Sequence, residues 1–311
     1  MVRIKSILCP IDFSDFSRHA FDRAVAIARG TGASVSTVHV VPFRPATFSP
    51  DLGVRGVDAF MLTDAERSRW TADLERFLTP AAVSDVPVTC DVLEAPSVHV
   101  EIVAQADRLR ADLIVMGTHG RSGWQRLLMG SVTEKVLRTA RPPVLTVGAS
   151  EGAAPTSDFS FKRILCAIDF SECSLAALRY AASLAEPAGA PLTALYVSEW
   201  APMGFDPLIG PPTDLAGFRL AAESLGRERL SEVIAGSGCK NVEQTVASGK
   251  PHHEILRVAA ERGADLIVLG MHGRNPLHKM FFGSTAEPVV RRSHCPVLTV
   301  RSEPEASTAA A

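Results

Sequence analysis

The residues whose types could do chemistry are an aspartate and a set of glycines, and this set occurs twice along the chain. Asp12 ends one apolar stretch and Asp169 ends a second one. Gly117-x2-Gly120-x9-Gly130-Ser131 follows another apolar stretch, and Gly270-x2-Gly273-x9-Gly283-Ser284 repeats its spacing. Glycines allow a close backbone approach to a ligand. A Gly-Ser that opens a helix presents free N–H groups and a dipole that favour phosphate.

Each of these residues also has a purely structural interpretation. A lone aspartate after a strand is often an N-cap or a turn former. Glycines after a strand often only permit the turn, and Gly-Ser before a helix is an ordinary cap. Because the same spacing occurs twice, each time with the aspartate, we favour a binding site for a phosphate-bearing ligand.

The chain is a repeat of itself, which indicates two homologous domains. Residues 7–14 recur as residues 164–171 with one difference in eight. Residues 112–121 recur as 265–274, and Pro143-Val-Leu-Thr-Val147 returns unchanged as residues 296–300. We predict domains at 1–148 and 161–301. A small, polar linker at 149–160 joins them, and a flexible tail of similar composition follows at 302–311.

Each copy alternates strand-like and helix-like segments. The predicted strands are 6–11, 35–41, 88–93, 112–117 and 144–147, then 163–168, 192–197, 242–246, 265–270 and 297–300. The last helix of each copy is predicted at 131–138 and at 284–291. Continuously apolar strands such as Leu-Ile-Val-Met after Asp112 are typical of parallel sheets that are covered on both faces. The fold class is therefore α/β, with two doubly wound domains, and ligands bind such sheets at the carboxyl ends of the strands.

Composition and missing motifs exclude several classes of function. Lys plus Arg is 32 and Asp plus Glu is 34, so the net charge of −2 does not favour a nucleic acid partner. No apolar stretch is long enough for a membrane span, and the first residues lack a signal-peptide core, so we expect a cytoplasmic protein. The P-loop, the dinucleotide Gly-x-Gly-x-x-Gly and the hydrolase Gly-x-Ser-x-Gly are absent. The six cysteines form no Cys-x-x-Cys pair and are predicted to be reduced and structural.

The sequence resembles two fused members of the universal stress protein family, from Ile4 to Val300. The resemblance depends on the aspartate after strand one, the Gly-x2-Gly-x9-Gly-Ser motif and the terminal Pro-Val-Leu-Thr-Val strand, each present twice. It implies a five-stranded parallel sheet in the order 3-2-1-4-5 in each domain. The glycine motif resembles that of the ATP-binding branch, so the resemblance also implies ATP, with Mg²⁺ or Mn²⁺ on its phosphates.

The resemblance also implies a role for each matching residue. Asp12 and Asp169 would contact adenosine, the backbone of Val40 and Val197 would hold adenine, and Gly117 and Gly270 would lie near the ribose. The residues lining the phosphates would be Gly120, Gly130, Ser131, Val132 and Thr133, and in the second copy Gly273, Gly283, Ser284 and Thr285. The hydroxyls of Ser131 and Thr133 are expected to donate to phosphate. The second copy departs from the first, with Asn275-Pro276 for Ser122-Gly123 and Thr285-Ala286 for Val132-Thr133.

We therefore expect a cytoplasmic ATP-binding stress-response or regulatory protein whose nucleotide changes a surface that a protein partner reads. The alternatives are a slow ATPase and a nucleotide-free interaction scaffold. The only visible candidates for a general base are the aspartates and the loop histidines His119 and His272, which we interpret as bystanders. The halves are expected to pair through their fifth strands as an internal pseudo-dimer, with a further homodimer as an option. The long segments 42–63 and 198–213 are expected to form lids or partner surfaces.

Overall fold

The structure, a computed structural model, describes residues 3–42, 62–78, 85–119, 129–148, 161–199, 215–239, 241–271 and 283–301. The chain divides between residues 159 and 160 into two compact units. The predicted linker and tail lie outside the described residues, as do residues 43–61 and 200–213 of the two predicted lids.

The first unit contains five strands and four helices within its described residues. They are β1 (Ser6–Pro10), α1 (Asp15–Thr31), β2 (Ser34–Pro42), α2 (Asp64–Leu78), β3 (Val88–Ala95), α3 (Val98–Leu109), β4 (Leu113–Gly117), α4 (Ser131–Thr139) and β5 (Val144–Val147). The strands pair in parallel in the order β3-β2-β1-β4-β5. This confirms the predicted α/β class and strand order.

The second unit repeats this order within its own described residues. Its elements are β6 (Ile164–Ile168), α5 (Glu172–Ala188), β7 (Leu192–Ser198), α6 (Leu215–Ser237), β8 (Val242–Ser248), α7 (Pro251–Arg262), β9 (Leu266–Gly270), α8 (Ala286–Arg292) and β10 (Val297–Val300). The parallel order is β8-β7-β6-β9-β10.

Helix α8 begins at Ala286, so the prediction that this helix starts at Ser284 is wrong. Ser284 and Thr285 form a turn instead. The reason is Pro288, which has no N–H to donate to the carbonyl of Ser284 four residues earlier. Lys135 occupies the matching position of α4 and leaves that helix free to begin at Ser131.

The helices of each unit form two layers around the sheet. Right-handed crossovers with this strand order place α1 and α2 on one face and α3 and α4 on the other. The contacts agree, since α1 touches α2 and α3 touches α4, and the second unit repeats both pairs. The core is built from apolar strand residues and helix stripes, and Ile7, Leu8, Phe21 and Ile114 are completely buried. None of the described helices is both long and apolar enough to cross a membrane.

Polar contacts fix the ends of the elements that lead to the candidate site. Ser14 caps α1 by accepting a hydrogen bond from Ser17 N at 3.2 Å, and Ser171 caps α5 through Ser174 N at 3.3 Å. At the opposite end of β1, the Asp112 carboxylate accepts from the backbone N–H groups of Lys5 and Ser6. These contacts fix the first turns of α1 and α5 and join the amino end of β1 to the residue that precedes β4.

Candidate functional site

The structure brings most of the described site residues of the first unit together at the carboxyl ends of the strands. Asp12 follows β1, Val40 lies near the carboxyl end of β2, and Gly117 ends β4. The backbone N–H of Gly130 donates to the carbonyl of Thr118 at 2.8 Å, which brings the start of α4 against the end of β4. The ends of β1, β2 and β4 and the amino termini of α1 and α4 therefore surround one region.

Asp12 is held in place by the turn that follows it. Its Oδ1 accepts hydrogen bonds from the backbone N–H of Ser14 at 3.0 Å and from the Ser14 hydroxyl at 2.5 Å. Asp169 makes the same contacts with Ser171, at 2.9 and 2.5 Å. Both carboxylates are half-buried. The aspartate is thus a turn former in both copies, and this turn holds its carboxylate at the sheet edge.

The residue after each aspartate has an unusual backbone conformation. Phe13 has φ of +63° and Phe170 has φ of +65°, in the left-handed region. A bulky residue pays on the order of 1–3 kcal/mol for such a conformation, so other contacts must hold it there. This left-handed turn was not predicted from the sequence, although the repeated Asp-Phe-Ser was the available signal.

Aromatic packing holds Phe13 in this conformation. Its ring centroid lies 4.6 Å from that of His39 on β2, 5.9 Å from Trp70 and 5.4 Å from Phe77, both on α2. The His39 Nδ1 lies 2.7 Å from the carbonyl oxygen of Ile11, directly before Asp12. The cluster of these four rings therefore connects α2 to the turn that carries the aspartate.

The second unit builds the same contact differently. Phe170 packs on Tyr196 at 4.7 Å between ring centroids, and the Arg229 guanidinium lies 4.5 Å from the Phe170 ring. Gly226 lies against the Tyr196 ring, where a Cβ would come within 2.5 Å of the ring carbon Cε1. The left-handed turn is kept while the residues that cover it differ.

Gly117 and Gly270 are required by helix packing. A Cβ on Gly117 would lie 2.7 Å from Phe16 Cβ in α1, and one on Gly270 would lie 2.8 Å from the backbone of Cys173 in α5. The absence of a side chain lets the first helix of each unit approach the fourth strand. That these two glycines lie near a ribose stays a prediction. Helix packing alone already explains why both positions hold glycine.

The Thr133 hydroxyl does not have the role that we expected. It is buried and donates its hydrogen to the carbonyl of Gly117 at 2.9 Å. The expectation that this hydroxyl donates to phosphate is therefore wrong, because its single hydrogen already has an acceptor. What Thr133 offers a ligand is its backbone N–H, beside those of the exposed Ser131 and the half-buried Val132.

The start of α8 differs from that of α4 at several points. Ala286 replaces Thr133 and cannot make the bond to the fourth strand. A Cβ on Gly283 would lie 2.9 Å from the carbonyl oxygen of Met271, whereas one on Gly130 would lie 3.4 Å from that of Thr118. At the second site, there is therefore less space for a side chain at the glycine, and the helix starts two residues later.

Several predicted residues lie outside the described residues, namely Gly120, Gly273, His272, Ser122-Gly123 and Asn275-Pro276. His119 is described and is half-buried. Its ring centroid lies 5.0 Å from that of Phe16, and its Nδ1 lies 3.0 Å from the Thr118 hydroxyl.

Cys9 and Cys166 lie in the apolar core, as the sequence suggested. All six are free thiols. Burial raises the pKa of Cys9 and of Cys166 far above the ordinary thiol value, so both are protonated at neutral pH and act as small apolar core residues. Within the described part of the chain, no three His, Cys, Asp or Glu side chains form a potential metal site.

Comparison with known proteins agrees with this double architecture. The model of the universal stress protein family matches the chain twice, over residues 3–148 and 160–301. The chain belongs to the universal stress protein family. The two matches make it a tandem universal stress protein.

Relatives and solved structures of the family resemble this chain over one or both domains. Universal stress protein MJ0531 of Methanocaldococcus jannaschii is 33% identical over 45% of this chain and 82% of its own. Universal stress protein YxiE of Bacillus subtilis is 36% identical over 45% of this chain and 99% of its own. The crystal structure of a universal stress protein from Archaeoglobus fulgidus matches at a TM-score of 0.63 and 23% identity, over 96% of this chain and 97% of that one. This last likeness supports the fold.

The packing of α1 against Gly117 predicts that an alanine at this position destabilises this universal stress protein. Gly117→Ala should lower the free energy of unfolding by about 1–3 kcal/mol, because the new methyl group overlaps α1. Gly148→Ala is the matched control, since a Cβ there meets nothing within 4 Å, and it should change stability by no more than about 0.5 kcal/mol. Urea denaturation of both variants measures this, and equal stability of the two would contradict the packing explanation.

Proposed function

We propose that this tandem universal stress protein is an ATP-binding regulatory protein, with the nucleotide at the carboxyl ends of the strands. The observation that carries the proposal is a cluster of helix N–H groups beside a fixed carboxylate. Glu134 N donates to Gly130 O at 2.9 Å as the first bond within α4. The N–H groups of Ser131, Val132 and Thr133 precede it and have no acceptor within the helix.

These three N–H groups suit the phosphates of a nucleotide. They point out of the amino terminus of a nine-residue helix, where the helix dipole adds partial positive charge. The Thr133 hydroxyl bond to Gly117 holds this terminus against β4, so the donors have a fixed position. Fixed donors lose little entropy when an anion binds.

Asp12 suits the adenosine end of the same ligand. A carboxylate accepts hydrogen bonds from ribose hydroxyls, and the turn through Ser14 holds this one rigidly. Ile11 N donates to Val38 O at 2.8 Å, so the end of β1 lies beside β2, where Val40 would offer its backbone to adenine. Mg²⁺ or Mn²⁺ would accompany the phosphates, whose oxygens are hard ligands for such ions.

We propose a second site around Asp169, Val197, Gly270, Gly283, Ser284 and Thr285, and expect it to bind ATP more weakly than the first. Helix α8 has seven residues and starts after a turn, and Ala286 cannot anchor it to β9. The N–H groups of residues 284–286 are therefore less firmly placed than those of α4. A cytoplasmic location, a protein partner and pairing of the halves through β5 and β10 stay predictions.

Asp12→Asn separates the turn-forming role of this residue from its binding role. The asparagine Oδ1 can still accept from Ser14, so we expect the free energy of unfolding to change by less than about 1 kcal/mol. The lost charge and the lost second acceptor oxygen should weaken the binding of both ATP and adenosine, by roughly tenfold. Calorimetric titration and urea denaturation measure the two effects. Unchanged affinity for both ligands would leave Asp12 as a turn former only.

Gly130→Val tests the phosphate end of the site. The added side chain would lie near Thr118 O and His119 Cα and crowd the approach to the first turn of α4. We expect ATP affinity to fall at least about tenfold and adenosine affinity to stay within about twofold, because only the phosphates use that end. Gly130→Ala is the milder control, since its Cβ would meet no atom closer than 3.4 Å. Equal losses for ATP and adenosine would contradict the assignment.

A further inference from the structure

A cavity of about 410 Å³ opens beside β8 in the second unit. Residues 245–248 of β8 line it, together with Glu223 of α6 and several residues of α7 that include Glu254, Arg257 and Glu261. We call this cavity the β8 slot. Pockets for small molecules are mostly apolar, whereas charged and polar side chains predominate here.

The β8 slot lies along the backbone edge of the strand. Successive strand side chains point to opposite faces of a sheet, so one cavity touches four consecutive residues only where it reaches the strand's edge. The helices lead to the same conclusion, because the crossovers place α6 and α7 on opposite faces. A cavity that both helices line must pass the edge between the two faces.

This edge offers backbone hydrogen-bonding groups to a further strand. Within the described residues β8 pairs only with β7 and ends the strand order of its sheet. Pairing on one side leaves alternate N–H and C=O groups of a strand pointing outward. Four strand residues extend over roughly 13 Å, which suits a segment of about the same number of residues.

The charges around the β8 slot favour a basic partner. Arg257 lies between two carboxylates, at 2.6 Å from Glu254 and 2.6 Å from Glu261. The charge of Arg262 is met by Glu243 at 2.5 Å, and Glu223 accepts from the Ser248 hydroxyl at 2.7 Å. One arginine thus serves two carboxylates, so Glu254, Arg257 and Glu261 together carry a net negative charge at the rim.

The matching edge of the first unit has a different charge pattern. On α2 and β3, Arg67 pairs with Glu94, and on α3 Arg108 pairs with Glu101. Each of these carboxylates has an arginine of its own.

We propose that the β8 slot binds an extended peptide segment with basic side chains, which adds to β8 as a further strand. Main-chain hydrogen bonds to the edge provide affinity, and the acidic rim selects basic side chains. The proposal goes beyond nucleotide binding and does not depend on it. Peptide titrations with and without ATP distinguish failure of peptide binding from failure of nucleotide binding.

The probe is a short synthetic peptide of alternating lysine and valine with a fluorescent label. We expect saturable binding and protection of the 242–248 amides from hydrogen exchange, with no change at 88–95. Replacing lysine by glutamate, or methylating alternate backbone nitrogens, should weaken binding at least about tenfold. Absence of saturable binding, equal binding of the methylated peptide, or protection elsewhere would overturn the proposal.

Charge variants test the rim on the full-length protein. The Glu223→Gln, Glu261→Gln double variant should weaken binding of the lysine peptide roughly three- to tenfold and reduce its salt dependence. Glu228→Gln with Glu232→Gln is the control, because these exposed α6 residues do not line the β8 slot. Equal effects of the two double variants would contradict selection by the rim.

Discussion

The close contact between β4 and two helix amino termini at Gly117 is the constraint on which the candidate site depends. Phe16 of α1 fills the space where a Cβ would stand, and Thr133 of α4 donates its hydroxyl hydrogen to the Gly117 carbonyl. One residue thereby sets the position of both helices. The carboxylate of Asp12 and the N–H groups of residues 131–133 acquire a fixed relation through this contact, before any ligand is present.

The two copies share this architecture but differ in how firmly they hold it. Both keep the aspartate turn with its left-handed phenylalanine. Only the first has the threonine that ties the last helix to the fourth strand, and Pro288 delays the start of that helix in the second. The β8 slot, in turn, belongs to the second unit. Under the two proposals, both units would bind nucleotide, the first more firmly than the second, and the second would also bind a peptide.

Much of the fold, and the location of the candidate site, could be predicted from the sequence. Apolar periodicity and the internal repeat predicted the strands and the two α/β domains, and the resemblance to the family implied the strand order. The spacing of Asp12 and the glycines predicted a site at the carboxyl ends of the strands, which is where the structure places these residues. Local spacing could not show which groups are already used by tertiary contacts. Three features depend on neighbours distant in sequence. They are the bond of the Thr133 hydroxyl to Gly117, the helix packing that requires a glycine at position 117, and the contacts of His39 and Trp70 that hold Phe13. Pro288 could have been recognised, because the missing N–H is a local property.

The most direct test of the central claim follows the amides of Ser131, Val132 and Thr133 by NMR while ATP or adenosine is added with Mg²⁺. If phosphates bind at the amino terminus of α4, ATP should shift these three amides and slow their hydrogen exchange, whereas adenosine should affect mainly residues near Asp12 and Val40. Binding of ATP with no change at residues 131–133 would contradict the account, because the phosphates would then lie elsewhere.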